Sequence, residues 1–177
     1  MKIAVLGYVG SGKTYLSDCI AEKQNKPVLH LDDIKWDKQW KPIDDSLVLA
    51  QVRSFMRQDN WIIDGYYTYL DFDERLRSAD RIVLLLLPRL PCFYRAVKRS
   101  KVRKKAPDER GLYCYCICCG YQNDMNAWFV KFALYGCRNK KRRLHYAAIA
   151  EQYKDKTVVL KTKRQVDAFL QKETVVK

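Results

Sequence analysis

The sequence predicts an α/β fold in three layers, α/β/α, with a five-stranded parallel sheet between two layers of helices. Three observations predict it. Short runs rich in strand formers alternate with segments of helical period, the pattern of parallel strands joined by crossover helices. The glycine-rich run Gly7-Tyr8-Val9-Gly10-Ser11-Gly12-Lys13-Thr14 stands between the first strand and the first helix. The run Ile82-Val83-Leu84-Leu85-Leu86-Leu87 is apolar without alternation, as expected of a central strand buried on both faces.

The elements follow in order. Lys2 to Leu6 is the first strand, and Gly7 to Gly12 breaks it. Leu16, Ile20 and Ala21 have helical spacing over 14–23, and Pro27 ends that unit. Val28-Leu29-His30-Leu31 is the second strand, with Asp32-Asp33 at its carboxyl end. The stretch 36–45 reads as a loop broken by Pro42, after which Ser46 is placed to cap a helix reaching about Gln58. Trp61-Ile62-Ile63 is the third strand, closed by Asp64-Gly65, and a short helix covers Phe72 to Ser78. Arg81 to Leu87 is the fourth strand. Pro91 starts a helix reaching about Arg103. The stretch 104–123 has Pro107, Gly111, Gly120, four cysteines and no clean period, and reads as an inserted lid or loop. Helical pattern returns from about Met125 to Tyr153 with a break near Gly136, Thr157 to Leu160 is the fifth strand, and Lys163 to Gln171 is the closing helix. No repeat or long linker divides the chain, so residues 1–177 read as one domain carrying a lid at about 100–143.

Composition bounds the function. A chain of 177 residues, 48% of them hydrophobic, can bury a full core and excludes a disordered protein. Met1 leads straight into a strand, which does not fit a secretion signal, and the longest apolar run is too short to cross a bilayer. A cytoplasmic protein with no membrane partner is expected. The net charge of +14 attracts polyanions such as nucleotides and nucleic acid. Its basic residues gather at Arg95 to Lys105 and Arg138 to Arg143, without the aromatic and basic pattern of a nucleic-acid module, so nucleic acid is at most a secondary partner.

The glycine-rich run has the form Gly-x-x-x-x-Gly-Lys-Thr of a P-loop. The glycines let the backbone curl so that its amides face phosphate oxygens, Lys13 brings charge to the terminal phosphates, and the Thr14 hydroxyl can ligate magnesium. The helix that follows adds its positive end. Gly7, Gly10, Ser11, Gly12, Lys13 and Thr14 are therefore the candidate nucleotide-binding residues of a P-loop NTPase. Asp64 closes an apolar strand where a Walker-B-type carboxylate would hold a magnesium-bound water, so Thr14 and Asp64 are the candidate magnesium residues. Asp32 closes the neighbouring strand on the same edge, where open parallel sheets bind ligands. Arg95 and Arg99 share a helix face, placed either to close over phosphates or to meet solvent.

This order of a P-loop, an acid after the second strand, Asp64-Gly65 after the third, and Pro88 followed by Arg95 and Arg99 resembles adenylate kinases. The resemblance implies that Arg95 packs on the adenine and Arg99 contacts phosphates. It also likens Lys140-Lys141-Arg142-Arg143-Leu144-His145-Tyr146 to the helix after the adenylate kinase lid, whose basic residues reach the transferred phosphate. Arg138, Arg142 and Arg143 are the candidates for that role. Over nearly the whole chain, Gly-Tyr-x-Gly-Ser-Gly-Lys-Thr, Val-Leu-His-Leu-Asp, Trp-Ile-Ile-Asp-Gly-x-Tyr and Arg-x-x-x-Ala-Asp are similar to the bacterial DNA topology modulation proteins, an adenylate-kinase-related group of P-loop proteins. Where adenylate kinases carry Phe-Pro-Arg after the Asp-Gly, this chain has Tyr66-Tyr67-Thr68. Asp32 resembles the acid of shikimate and gluconate kinases that binds the acceptor hydroxyl or magnesium, which makes it the candidate for acceptor orientation or general base.

The expected function is an ATP-dependent phosphotransferase of the adenylate-kinase-like class. It would use ATP and Mg2+ and pass the γ-phosphate to a small nucleotide-like or hydroxyl-bearing acceptor. Lys13, Asp32, Arg99, Arg138 and Arg142 form the expected catalytic group, with Arg95 and Asp64 on the nucleotide. The alternative is an ATP-binding regulator that binds nucleic acid and affects DNA topology. The guanine-specifying Asn-Lys-x-Asp is missing from the sequence, which argues against GTP. In Cys114-Tyr115-Cys116-Ile117-Cys118-Cys119 only Cys116 and Cys119 have zinc-finger spacing, and no second pair follows, so free thiols fit the lid better than zinc.

Overall fold

The computed structural model describes residues 1–37, 41–103 and 127–173, leaving aside the side chains of 99–103 and 128. Five parallel strands, β1 (Lys2–Gly7), β2 (Val28–His30), β3 (Trp61–Asp64), β4 (Arg81–Leu85) and β5 (Thr157–Leu160), lie in the order β2-β3-β1-β4-β5. The helices among the described residues are α1 (Lys13–Gln24), α2 (Leu31–Lys35), α3 (Asp45–Met56), α4 (Phe72–Ser78), α5 (Arg89–Arg103), α6 (Ala127–Leu134), α7 (Lys140–Gln152) and α8 (Lys163–Lys172). This is the three-layer fold with five parallel strands that the sequence predicts.

The alternation of side chains along β1 divides the core. Ile3 and Val5 point to one face, where Leu16 and Ile20 of α1 and Phe169 and Leu170 of α8 cover them. Ala4 and Leu6 point to the other, packed with Val52 of α3, Phe72 and Leu76 of α4, and Tyr146 and Ile149 of α7. The central strands are apolar on both faces because both faces are covered, and Trp61, Ile62 and Ile63 are fully buried. The parallel register sets Val5 beside Asp64 on one side of β1 and Gly7 beside Leu85 on the other. That register brings the strand ends that bear the functional residues to one edge.

Several boundaries differ from the sequence reading for local reasons. The helix over 45–56 is capped by Asp44, whose carboxylate accepts the Ser46 amide at 2.8 Å, so Ser46 lies inside the first turn and is not the cap. Leu31 leaves the strand to begin α2, whose first turn carries Asp32 and Asp33 where the helix dipole favours acids. α5 begins at Arg89, two residues ahead of Pro91, because a proline in the first turn lacks only an N–H that the helix cannot use there. The expected lid cysteines 114, 116, 118 and 119 lie outside the described residues. Cys137 is fully buried and donates to the Ala133 carbonyl at 3.3 Å.

Ile63 is fully buried in the layer that faces α3, α4 and α7. Ile63→Ala should cost about 2–5 kcal/mol of stability, read as a lower midpoint in urea denaturation.

Candidate active site

The candidate site is built at the carboxyl edge of β1, β3 and β2. At the end of β1 the chain turns through residues 8–12 and enters α1. Two glycines make this turn. Gly10 has φ 69°, and a Cβ there would lie 2.2 Å from the Cys92 carbonyl oxygen, so no side chain fits. Gly12 has φ 92° and opens on free space, with no heavy atom within 4 Å of a Cβ position. α1 has no side-chain cap and no acid in its first turn, unlike α3, which Asp44 caps, and α7, which Asn139 caps. Its first amides and its positive end are therefore directed at the mouth of the loop, ready for an anion.

Lys13 rests with its ammonium 3.3 Å from the Tyr8 carbonyl, across the loop it would neutralise. The Thr14 hydroxyl donates to Asp64 Oδ2 at 2.9 Å, joining the start of α1 to the end of β3. Asp64 is buried, and its other oxygen, Oδ1, has no hydrogen-bond partner among the described residues; neither does the buried Ser11 hydroxyl in the loop. The residues thus fit a magnesium nucleotide. An uncapped helix start and an open glycine face the phosphates, and a buried carboxylate oxygen is left for a metal-bound water.

His30 reaches the same carboxylate, with Nδ1 3.3 Å from Asp64 Oδ2 and Nε2 2.7 Å from Asp18 Oδ1. Burial lowers its pKa, but the bonds and charges of Asp64 and Asp18 outweigh burial and hold it above the usual histidine value. The sequence showed it only as part of Val-Leu-His-Leu-Asp, with no role; the pairing of β2 with β3 sets it beside Asp64.

Asp32 is exposed on the first turn of α2, and the Tyr67 hydroxyl donates to it at 2.6 Å. Burial, followed by the nearby Asp32 charge, pushes the Tyr67 phenol far above its ordinary value, so it stays a donor. The loop that carries Tyr66 and Tyr67 is fixed from beneath by Arg75. That guanidinium is 1% exposed and donates to the carbonyls of Leu70 at 2.9 Å, Gly65 at 3.2 Å and Tyr67 at 2.6 Å. Burial pulls its pKa below the ordinary arginine value, with Asp71 opposing. Sequence reasoning missed this role, since an arginine in a short helix reads as surface.

The arginines expected from the sequence reach this edge in different ways. Arg95 donates from Nε to the Gly10 carbonyl at 2.9 Å and so braces the loop itself. Arg138 lies 3.9 Å over the Tyr8 ring and donates to the Leu87 carbonyl at 2.8 Å. Arg142 lies 4.6 Å over the Tyr66 ring, whose hydroxyl is hydrogen-bonded to His145. Tyr146 donates to the Gly7 carbonyl at 3.1 Å, tying α7 to the start of the loop. Arg143 is exposed, with its charge near Tyr8. Arg99 is on α5, one turn beyond Arg95, and its side chain lies outside the described residues. Two surface grooves, of about 330 and 520 Å³, run along α3 and α4 and share no residue with this site.

No protein-family model matches the chain, and no curated protein does either. Solved structures do. A shikimate kinase from Bacteroides thetaiotaomicron superposes with a TM-score of 0.56 at 18% identity, covering 97% of this chain and 95% of that one. A gluconokinase from Sinorhizobium meliloti gives a TM-score of 0.52 at 17% identity, covering 97% and 91%. At that identity the likeness establishes the fold alone, a five-stranded parallel sheet with its flanking helices, and leaves the activity to the residues. Neither of these two structures is of a DNA topology modulation protein, so they do not confirm that resemblance. No helix among the described residues is long and apolar enough to cross a membrane.

Two outcomes follow for the loops. Gly10→Ala combines a left-handed φ with the approach to Cys92 and should cost at least about 1–3 kcal/mol, with loss of ATP-analogue binding in a fluorescence titration. Arg75→Met leaves three buried carbonyls without their donor and should lower stability by at least about 1.5–3 kcal/mol in thermal unfolding.

Proposed function

We propose that the chain is an ATP-dependent phosphotransferase acting on a small acceptor. The observation that carries this reading is the Thr14 hydroxyl on Asp64, set beneath the uncapped start of α1. A hydrogen-bonded threonine and a buried strand-end carboxylate at the mouth of a glycine loop are what a magnesium nucleotide requires. Both similar solved structures are of kinases, which supports the class without naming the acceptor.

In this reading the amides of residues 10–14 and the positive end of α1 hold the ATP phosphates. Thr14 and Asp64 would hold Mg2+, which would supply charge to offset that of the phosphates. Lys13 turns from the Tyr8 carbonyl to the terminal phosphate. Arg138 and Arg142 bring positive charge beside the loop, held there by aromatic faces and, for Arg138, the Leu87 carbonyl. Asp32, held by Tyr67, orients an acceptor hydroxyl and takes its proton as that oxygen bonds the γ-phosphorus and ADP leaves. The high net charge serves these phosphate ligands.

The test is ADP formation from ATP over a panel of hydroxyl-bearing metabolites, nucleosides and nucleoside monophosphates. An acceptor that stimulates ADP release is expected, with turnover in Lys13→Ala lower by at least about a hundredfold. Asp32→Asn should lower kcat by about 10²–10⁴ while the KM for ATP changes little. Absence of both ATP binding and acceptor-dependent ADP formation across the panel would overturn the reading.

A further inference from the structure

We propose that His30 is a positioning residue for magnesium, which aims Asp64 at the ion while Asp18 holds the ring in place. The inference rests on the phosphotransferase reading and concerns how its metal is held. Four side chains are joined by three polar contacts. Thr14 donates to Asp64 Oδ2 at 2.9 Å, His30 Nδ1 stands 3.3 Å from that same oxygen, and His30 Nε2 returns to Asp18 Oδ1 at 2.7 Å. Thr14 and Asp18 are four residues apart on α1 and therefore share a face, so the helix closes the ring. The strand register sets His30 beside Asp64 across β2 and β3.

The chemistry of this ring gives each member a role. Asp18 holds the His30 ring through its short contact to Nε2, which leaves Nδ1 turned toward Asp64. Two polar contacts, one from α1 and one from β2, meet at Asp64 Oδ2. One contact would leave the carboxylate free to turn about its Cβ–Cγ bond; two from different elements fix its plane. Oδ1 is thereby presented, buried and without a hydrogen-bond partner among the described residues. Groups that orient a ligating carboxylate in this way tune metal affinity by about 10–100-fold.

The test is calorimetric binding of AMP-PNP in excess Mg2+ and again in EDTA, the ratio of affinities measuring the contribution of the metal. In His30→Leu the ratio should fall about tenfold or more, with the affinity in EDTA near wild type. His30→Asn, which keeps a donor toward Asp64, should recover most of the ratio. Asp18→Asn alters a side chain 52% exposed and should fold normally, yet lose part of the ratio. An unchanged ratio in both His30→Leu and Asp18→Asn overturns the proposal. So does an equal loss of affinity with and without Mg2+, which would mark a merely structural role. Should His30→Leu fail to fold, Asp18→Asn decides alone, an unchanged ratio sinking the idea. If wild-type protein binds no AMP-PNP at all, the phosphotransferase reading falls first and the inference with it.

Discussion

The hydrogen bond from Thr14 to Asp64 holds the site together, because it joins two elements that the chain reaches 50 residues apart. It exists only if β1 and β3 pair in the register that sets Val5 beside Asp64. A slip of one residue would turn Asp64 to the opposite face of the sheet, away from α1. The register is held by the core. Ile3 and Val5 must face α1 and α8 while Ala4 and Leu6 face α3, α4 and α7, and no slipped arrangement buries both sets. The functional geometry is thus a consequence of apolar packing on two faces, and the polar contacts at the edge refine what the packing has already placed.

The arginines illustrate how a chain with a net charge of +14 keeps useful charge at one place. An arginine paired with a carboxylate is neutralised, as Arg53 is by Asp71 at 2.6 Å on the surface. Arg138 and Arg142 are held differently, by the faces of Tyr8 and Tyr66. A ring attracts a guanidinium through its quadrupole and leaves the full charge in place. Because Tyr8 belongs to the phosphate loop and Tyr66 to the turn after Asp64, the two cations are brought to the two loops that flank the site. Tyr146 completes this layer from α7 by bonding to the Gly7 carbonyl.

Where the chemistry is local, the sequence was legible. The glycine loop, the strand that precedes it and the helix that follows lie within one continuous stretch, and their spacing carries the geometry. Strand-end acids were legible for a related reason: an apolar run that stops at Asp64 places the acid at the carboxyl edge. The Asp44 cap was misassigned to Ser46 because both residue types cap helices and they are two apart. His30 and Arg75 were not legible, since their roles depend on partners far away in sequence. His30 and Arg75 stand in the motifs Val-Leu-His-Leu-Asp and Arg-x-x-x-Ala-Asp, but a motif marks a residue without naming the partner that gives it a role. Arg95 was found as a residue but its partner was not, because bracing the Gly10 carbonyl depends on how α5 meets the loop.

The acceptor side follows from the same distinction. The sheet and its core place a loop after β3 and a helix turn after β2, whatever those segments contain. What they contain here is Tyr67 donating to Asp32, with Arg75 beneath fixing three carbonyls of the loop. An exposed carboxylate at this edge repels a phosphate and attracts a hydroxyl. The phenol fixes one of its oxygens, leaving the other to face a substrate. The Phe-Pro-Arg arrangement of adenylate kinases brings a cation to the corresponding turn. Tyr66-Tyr67-Thr68 brings aromatic surface and hydroxyls, with the Asp32 carboxylate opposite and the Arg142 guanidinium over the Tyr66 ring. In the phosphotransferase reading the edge therefore offers a carboxylate to an acceptor hydroxyl and a cation to a phosphate, on a scaffold that would hold either.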